Sequence, residues 1–328
     1  MRPGHGASRG AVVAALVAVQ TFFALHYVAA KFIMDHVPPR AWATVRILSA
    51  ATLLMAFVLA TRRSRMPRAP RDLAAIALFS VFGVVINQVC FVEGLVRTTT
   101  SHSAIINTSI PVATLLIALL MGRERLTGRK AAGIALSLSG VLYLIGHGGM
   151  ALGDQVVLGD LLNLANALSY SFFLVISRPI LQRHSSLAVT AELLAFGAVG
   201  VSLLGAGQLS RVDPATLPAS VWWTGAFVVL FATVAAYLLN AWALKRVESS
   251  SVALFIYLQP IIASLAALVL RGERLGPETF IAAALIFAGV ALGLQRPAAP
   301  GDGALAGQAS AAAAAGQGHE TRPPSASS

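Results

Sequence analysis

The sequence predicts an all-α integral membrane protein of ten transmembrane helices, arranged as two inverted five-helix repeats with both termini cytoplasmic. Three observations lead there. Residues of the AVILMFWYC set make up 57% of the 328 positions and charged residues only 11%, too little polar surface for a soluble chain of this length. The apolar residues fall into about ten runs, each near the ~20 residues that a helix needs to cross a bilayer. Finally, the stretch from Leu95 to Leu144 returns without a gap in the second half of the chain. Arg97 matches Arg246, Ser101 matches Ser250, Ala104 matches Ala253, Pro111 matches Pro260, Glu124 matches Glu273 and Gly140 matches Gly289. Extended back to Gly83 and Ala232, about a quarter of the aligned positions are identical, which marks a duplication.

Five helices per repeat is an odd number, so the second copy enters the membrane with opposite polarity, and a pseudo-two-fold axis lies in the membrane plane. Counted by loop, 17 Lys and Arg fall on the side of the amino terminus and 6 on the other. That excess places both termini in the cytoplasm of a multi-pass protein of the cell membrane. The formal charge of +11 is spread over these loops rather than gathered in one stripe, so no nucleic-acid partner is expected.

The ten helices are expected near 11–34, 41–60, 73–95, 101–121, 130–147, 157–177, 187–208, 220–243, 250–270 and 278–295. Helix one follows Arg2 and Arg9 and ends in Val28-Ala29-Ala30, like a signal peptide. Its apolar run exceeds the usual 7 to 15 residues of a cleaved segment, and Gly10, Phe23 and Leu25 align with Gly159, Phe172 and Leu174, so it is retained. Helix two enters at Pro39. Helix three carries the lone Cys90, a packed membrane thiol, and Glu93, four residues from Arg97 and able to pair with it. Helix four holds Pro111, and helix five has the small-residue face Gly133, Ser137 and Gly140 for close helix contact. Gly146 to Gly159 separates the halves. Helix seven contains Glu192; helix eight opens on Trp222-Trp223, an interfacial anchor; helix nine holds Pro260; helix ten repeats the small face at Ala282, Gly289 and Gly293. Glu124 and Glu273 sit in turns before a new helix, where a carboxylate favours the helix amino end and pairs locally. The resulting division is a disordered cytoplasmic tail (1–10), a first repeat (11–147), a connecting loop (148–156), a second repeat (157–296) and a disordered tail rich in Ala, Gly, Gln and Ser (297–328).

Mid-helix prolines remove a backbone donor, so Pro111 leaves the carbonyl of Asn107 unpaired and Pro260 that of Ile256. Their matching positions in inverted halves point to helix breaks at the membrane midplane, beside a site. Polar residues cluster on single faces around them: Ser103, Asn107, Pro111 and Thr114; Ala253, Tyr257, Pro260 and Ser264; Asn163, Asn166 and Tyr170; Thr233, Tyr237 and Asn240. Such faces either lace helices together or line a watery cavity, and four of them favour a cavity bordered by helices one, four, six, eight and nine. The expected solute contacts are Phe23, His26, Asn107, Asn166, Tyr170, Tyr237, Asn240 and Tyr257. Intramembrane ionisable groups are His26, Arg46, Glu93, His102 and Glu192, of which His26, Glu93 and Glu192 are candidates for proton coupling. There is no Walker loop, metal-spaced His/Cys set or Gly-x-Ser-x-Gly elbow, so no metal, cofactor or enzymatic activity is expected.

Phe23-Ala24-Leu25-His26-Tyr27-Val28-Ala29-Ala30-Lys31, Pro39 to Arg46, Thr99 to Leu126, Gly133 to Gly140 and Ser249 to Leu275 together resemble the EamA-type members of the drug/metabolite transporter superfamily. The resemblance spans nearly all of 11–296. It implies ten helices as two inverted repeats and a secondary carrier of small organic solutes or metabolites, often amino acids and frequently exported. A lipid bilayer and a small solute are then the partners, with a homodimer also allowed. Two positions depart from the pattern: Phe23-Ala24 stands where Trp-Gly is common, and His26 where a small polar residue is usual. The smaller four-helix relatives use a glutamate in their first helix, absent here from helices one and six, so their proton-drug antiport is not carried over. The alternative is a non-transporting membrane protein, a scaffold or an intramembrane enzyme built on Ser101-His102-Ser103.

Overall fold

A chain that satisfies its backbone groups inside hydrocarbon has to be helical or a closed barrel. The computed structural model describes residues 8–62, 64–98, 103, 106–146, 154–262, 265 and 277–293, and these contain helices and no strand. The tail 297–328, residues 1–7, most of the connecting loop, Ser101, His102, Ser264 and the Arg271–Leu275 turn lie outside the described residues.

The helices are α1 (Arg9–Met34), α2 (Pro39–Thr61), α3 (Pro70–Arg97), α4 (Ser109–Leu120), α5 (Gly128–Gly146), α6 (Asp154–Arg183), α7 (Ser186–Leu209), α8 (Ala219–Leu244), α9 (Ser249–Ile262) and α10 (Pro277–Gly293). Six of them, α1, α2, α3, α6, α7 and α8, include stretches long and apolar enough to cross a membrane. Ser109–Leu120, Ser249–Ile262 and Ala284–Gly293 are shorter apolar helices. Their starts are legible locally. Ser8 caps α1 by accepting from the Ala11 N–H at 3.2 Å, and α2 and α3 each open on a proline whose missing N–H is not needed there. Large apolar side chains stand fully outward, Leu120 at 87% exposure and Leu203 at 78%, as a lipid-facing surface requires. Trp222 and Trp223 are likewise exposed at the start of α8, where amphipathic rings meet headgroups. The protein is a multi-pass membrane protein.

Two helices widen to π geometry, α3 at Val81–Ile86 and α8 at Val228–Ala235. Both segments end at equivalent positions of the duplication, Ile86 and Ala235. Carbonyls within them accept from side chains: Phe82 from Ser169 at 2.7 Å, Gly83 from Tyr237 at 3.1 Å and Ala232 from Arg46 at 3.1 Å. A π turn loosens the regular ladder and frees such acceptors, often at functional sites.

Equivalent helices of the two copies pack on one another. α5 and α10 cross where Gly133, Ser137, Gly289 and Gly293 meet, and a Cβ on Gly133 would stand 2.7 Å from the Gly289 carbonyl. The small-residue faces expected for close contact meet here. α2 and α7 approach as closely at Gly205, where a Cβ would fall 2.6 Å from the Arg40 carbonyl, whereas one on Gly207 would meet nothing within 4 Å. Gly205→Ala should therefore lower stability by ~1–3 kcal/mol, and Gly207→Ala should raise it by up to ~1 kcal/mol. Thermal unfolding of the two purified variants checks this, and equal shifts would contradict the close crossing.

Glu124 does more than favour its neighbouring helix. It pairs with Lys130 of α5 at 3.1 Å and also accepts from the backbone N–H of Ser250 at 3.2 Å and from the Ser250 hydroxyl. The carboxylate of the first repeat thus sits at the amino end of α9, in the second.

Candidate functional site

Phe23, His26 and Tyr27 of α1, Arg46 of α2, Asn87, Gln88 and Phe91 of α3, Asn107 and Ile110 around the start of α4, Asn166 and Tyr170 of α6, Tyr237 of α8, and Ile256 and Gln259 of α9 line one cavity of about 70 Å³. Both repeats contribute. The expected border of helices one, four, six, eight and nine is incomplete, because α2 and α3 supply the guanidinium and two of the amides.

Arg46 organises the polar side. Its side chain is 1% exposed. Nε donates to Thr233 at 2.6 Å, Nη1 to Gln88 at 2.9 Å and to His26 Nε2 at 3.0 Å, and Nη2 to the Ala232 carbonyl. A guanidinium has no acceptor, so Nε2 of His26 accepts and the ring proton belongs on Nδ1. The His26 ring stacks on Phe91, with centroids 5.2 Å apart. Gln88 then donates to Asn87 at 2.9 Å and to the Tyr237 hydroxyl at 3.1 Å. Gln88 and Tyr237 are equivalent positions of the duplication, 149 residues apart, so the two copies touch through matching residues at the cavity wall.

A second chain of polar contacts crosses the other side. Asn107 donates to the Tyr27 hydroxyl, Tyr27 donates to Gln259 at 3.3 Å, and Gln259 donates to Gln20 at 2.7 Å. Asn166 donates to the Asn87 carbonyl at 2.8 Å. Asn240 donates to Tyr170 at 2.9 Å and lines an adjoining space of about 20 Å³ that shares Phe23, Tyr170 and Tyr237.

The cavity therefore collects Phe23, His26, Asn107, Asn166, Tyr170 and Tyr237, with Asn240 beside it. Tyr257 is elsewhere. It is fully buried, lines neither space, and its hydroxyl has no partner among the described residues. The cause is local: Phe255–Leu258 is 3₁₀ helix, and each residue there turns ~20° further than in an α-helix. That overwinding turns Ile256 and Gln259 into the cavity instead. It also resolves the expected orphan, because the Ile256 carbonyl accepts from the Gln259 N–H ahead of Pro260. Pro111 differs as well. The helix is interrupted at Thr108, so Pro111 falls in the first turn of α4, where proline is tolerated. Asn163 donates to the Gly159 carbonyl within α6 and packs against Gly94 of α3 rather than lining the cavity.

Glu93 is held by Arg40 at 2.5 Å and by Arg97, outside the cavity lining. Glu192 is buried and lines neither space. Arg46, Asn87, Gln88, Gln259 and Tyr27 are cavity residues that lie off the polar faces around the prolines. Each is a polar group inside an apolar run, and that signal alone would have found them. No cluster of His, Cys, Asp or Glu among the described residues has metal-binding geometry.

A helical membrane chain, duplicated and holding a polar, aromatic cavity between its copies, defines the class of membrane transporters. The chain belongs to the EamA-like transporter family, whose domain is present twice, at residues 9–146 and 157–294. It is similar to the uncharacterized transporter YyaM of Bacillus subtilis, 22% identical over 80% of this chain and 86% of the relative. It is also similar to the uncharacterized inner membrane transporter YedA of Escherichia coli K12, 26% identical over 85% and 89%. A probable terminal-alkyne amino-acid exporter of Streptantibioticus cattleyicolor is 27% identical over 75% and 80%. A crystal structure at 21% identity shares the fold, with a TM-score of 0.71 over 87% of this chain and 96% of that one.

Proposed function

We propose that this protein is a secondary carrier of the cell membrane that moves small organic solutes by alternating access around the cavity. The observation that carries the reading is a buried polar cavity walled by both copies of a duplicated unit, with Gln88 bonded to its own counterpart Tyr237. Contact between equivalent residues is what a two-fold axis through the site would produce. It supports ten spans in two inverted repeats (11–147 and 157–296) with both termini cytoplasmic. A free volume of about 70 Å³ is far below the ~300–1,000 Å³ of solute pockets, so admission requires the helices around it to part.

In this reading Asn107, Asn166 and Asn240 orient the polar part of the solute, while Phe23, Tyr170 and Tyr237 contact its apolar part. His26 is the one proton-coupling candidate in the lining, and Glu93 and Glu192 act from outside it. An amino-acid-like solute moved outward follows the exporter relative. Reconstituted vesicles offered labelled amino acids and metabolites should show counterflow for at least one of them. Asn107→Ala should reduce it about tenfold, the effect of one lost hydrogen bond of ~1.4 kcal/mol, with membrane abundance intact. Unchanged flux in Asn107→Ala would remove the site, and no counterflow for any solute would favour a non-transporting protein.

A further inference from the structure

We propose that Arg46 is the anchor for a carboxylate, so that the solute taken by the cavity carries a negative charge. The inference rests on the carrier reading above and names the class of its substrate.

The guanidinium is fully buried, lines the cavity and stays charged at any physiological pH. Its four partners, Thr233, Gln88, His26 and the Ala232 carbonyl, are all neutral. Among the described residues no carboxylate pairs with it, and no Asp or Glu lines the cavity. Among the described residues the buried carboxylates are compensated except Glu192, which has one oxygen unpartnered and lies outside the cavity. Glu93 has two arginines, Glu124 has Lys130, and Asp72 has Arg183 and His184. A buried charge without a counter-ion is costly, and among the described residues Arg46 is the buried cation that lacks one and lines the cavity. Its bonds occupy four of five N–H groups and leave one hydrogen on Nη2 for a further acceptor. A carboxylate oxygen supplies both that acceptor and the missing charge.

The remaining lining is amide, aromatic and aliphatic. It offers amide groups to the solute's other polar substituents and rings such as Phe23 and Phe91 to its apolar body. Organic monocarboxylates should therefore enter, and their amides and the corresponding amines should not. A purely structural Arg46, pinning the π segment of α8 to α2, makes no such distinction.

Purified full-length protein is assayed for binding of tritiated 3-phenylpropionate and butyrate, with 3-phenylpropionamide, butyramide and phenethylamine as competitors. At least one carboxylate should bind, the amides and the amine should compete at least tenfold less well, and Arg46→Gln should weaken binding at least tenfold. Arg46→Lys should keep the preference for the carboxylate. Failure of both carboxylates to bind, equal competition by the amides, or undiminished binding in a folded Arg46→Gln protein would overturn the proposal. If Arg46→Gln does not fold, the competition series on the unsubstituted protein decides alone. Counterflow separates this inference from the reading beneath it. Vesicles that move neutral or cationic solutes but no carboxylate overturn the anion anchor and leave the carrier standing, whereas vesicles that move nothing overturn both.

Discussion

Glu124→Ala lowers the unfolding free energy by about 3 kcal/mol or more, whereas Glu248→Ala, which removes another partner of the same lysine, lowers it by ~1 kcal/mol or less. The difference is burial. The Glu124 side chain is 1% exposed and that of Glu248 44%, although both contact Lys130 Nζ. Glu124 also takes the N–H and the hydroxyl of Ser250, so its loss strands two donors at the amino end of α9 and half of the compensation for Lys130. A carboxylate at a helix amino end is favourable in its own right. Neighbouring contacts hold the same junction: Ser249 donates to the Leu174 carbonyl at 2.9 Å and Arg123 to the Val175 carbonyl at 2.7 Å. Thermal unfolding of the two variants measures the difference directly. Similar shifts in both would mean that Glu124 is solvated and does not clasp the repeats together.

The helices were legible because membrane spanning imposes a length and an apolar composition that survive in any sequence. The duplication was legible because Pro111 and Pro260, Glu124 and Glu273 stand at one fixed offset. What those prolines do locally was not. A proline states that one N–H is missing, but not whether the chain answers with a kink, an interruption as at Thr108, or 3₁₀ turns as at Phe255–Leu258. Tyr257 was misplaced for that reason, since a face drawn at 3.6 residues per turn does not survive four residues of tighter winding. The π segments left no sequence signal at all, because Val81–Ile86 and Val228–Ala235 are ordinary apolar stretches whose widening is stabilised by side chains on other helices. Arg46 was visible as an intramembrane charge, but its role is set by Thr233 and Gln88, 187 and 42 residues away. Spacing within one helix carries no information about such partners.

Gly289→Val should be the most damaging single change in the last helix of either repeat. A Cβ at 289 would stand 2.2 Å from the Ser137 hydroxyl, 2.6 Å from the Gly133 carbonyl and 2.6 Å from the Ser137 backbone nitrogen. A rotamer change relieves the first of these contacts only. The other two are backbone atoms of α5, so the helix pair must separate, and the hydrogen bond from Ser137 to the Ile286 carbonyl, 3.3 Å long, goes with it. Within a bilayer, separation is not offset by burial elsewhere, because lipid tails are as apolar as the side chains they replace. The loss is then the close van der Waals contact itself, about 3 kcal/mol at the upper end for an overpacked interface. Ser137→Gly should not rescue Gly289→Val, since it clears the hydroxyl and leaves the Gly133 carbonyl in place. Size-exclusion profiles of the solubilised variants check both statements. A monodisperse Gly289→Val protein with unchanged unfolding temperature, or full rescue by Ser137→Gly, would show that side chains and not backbones set the distance between α5 and α10.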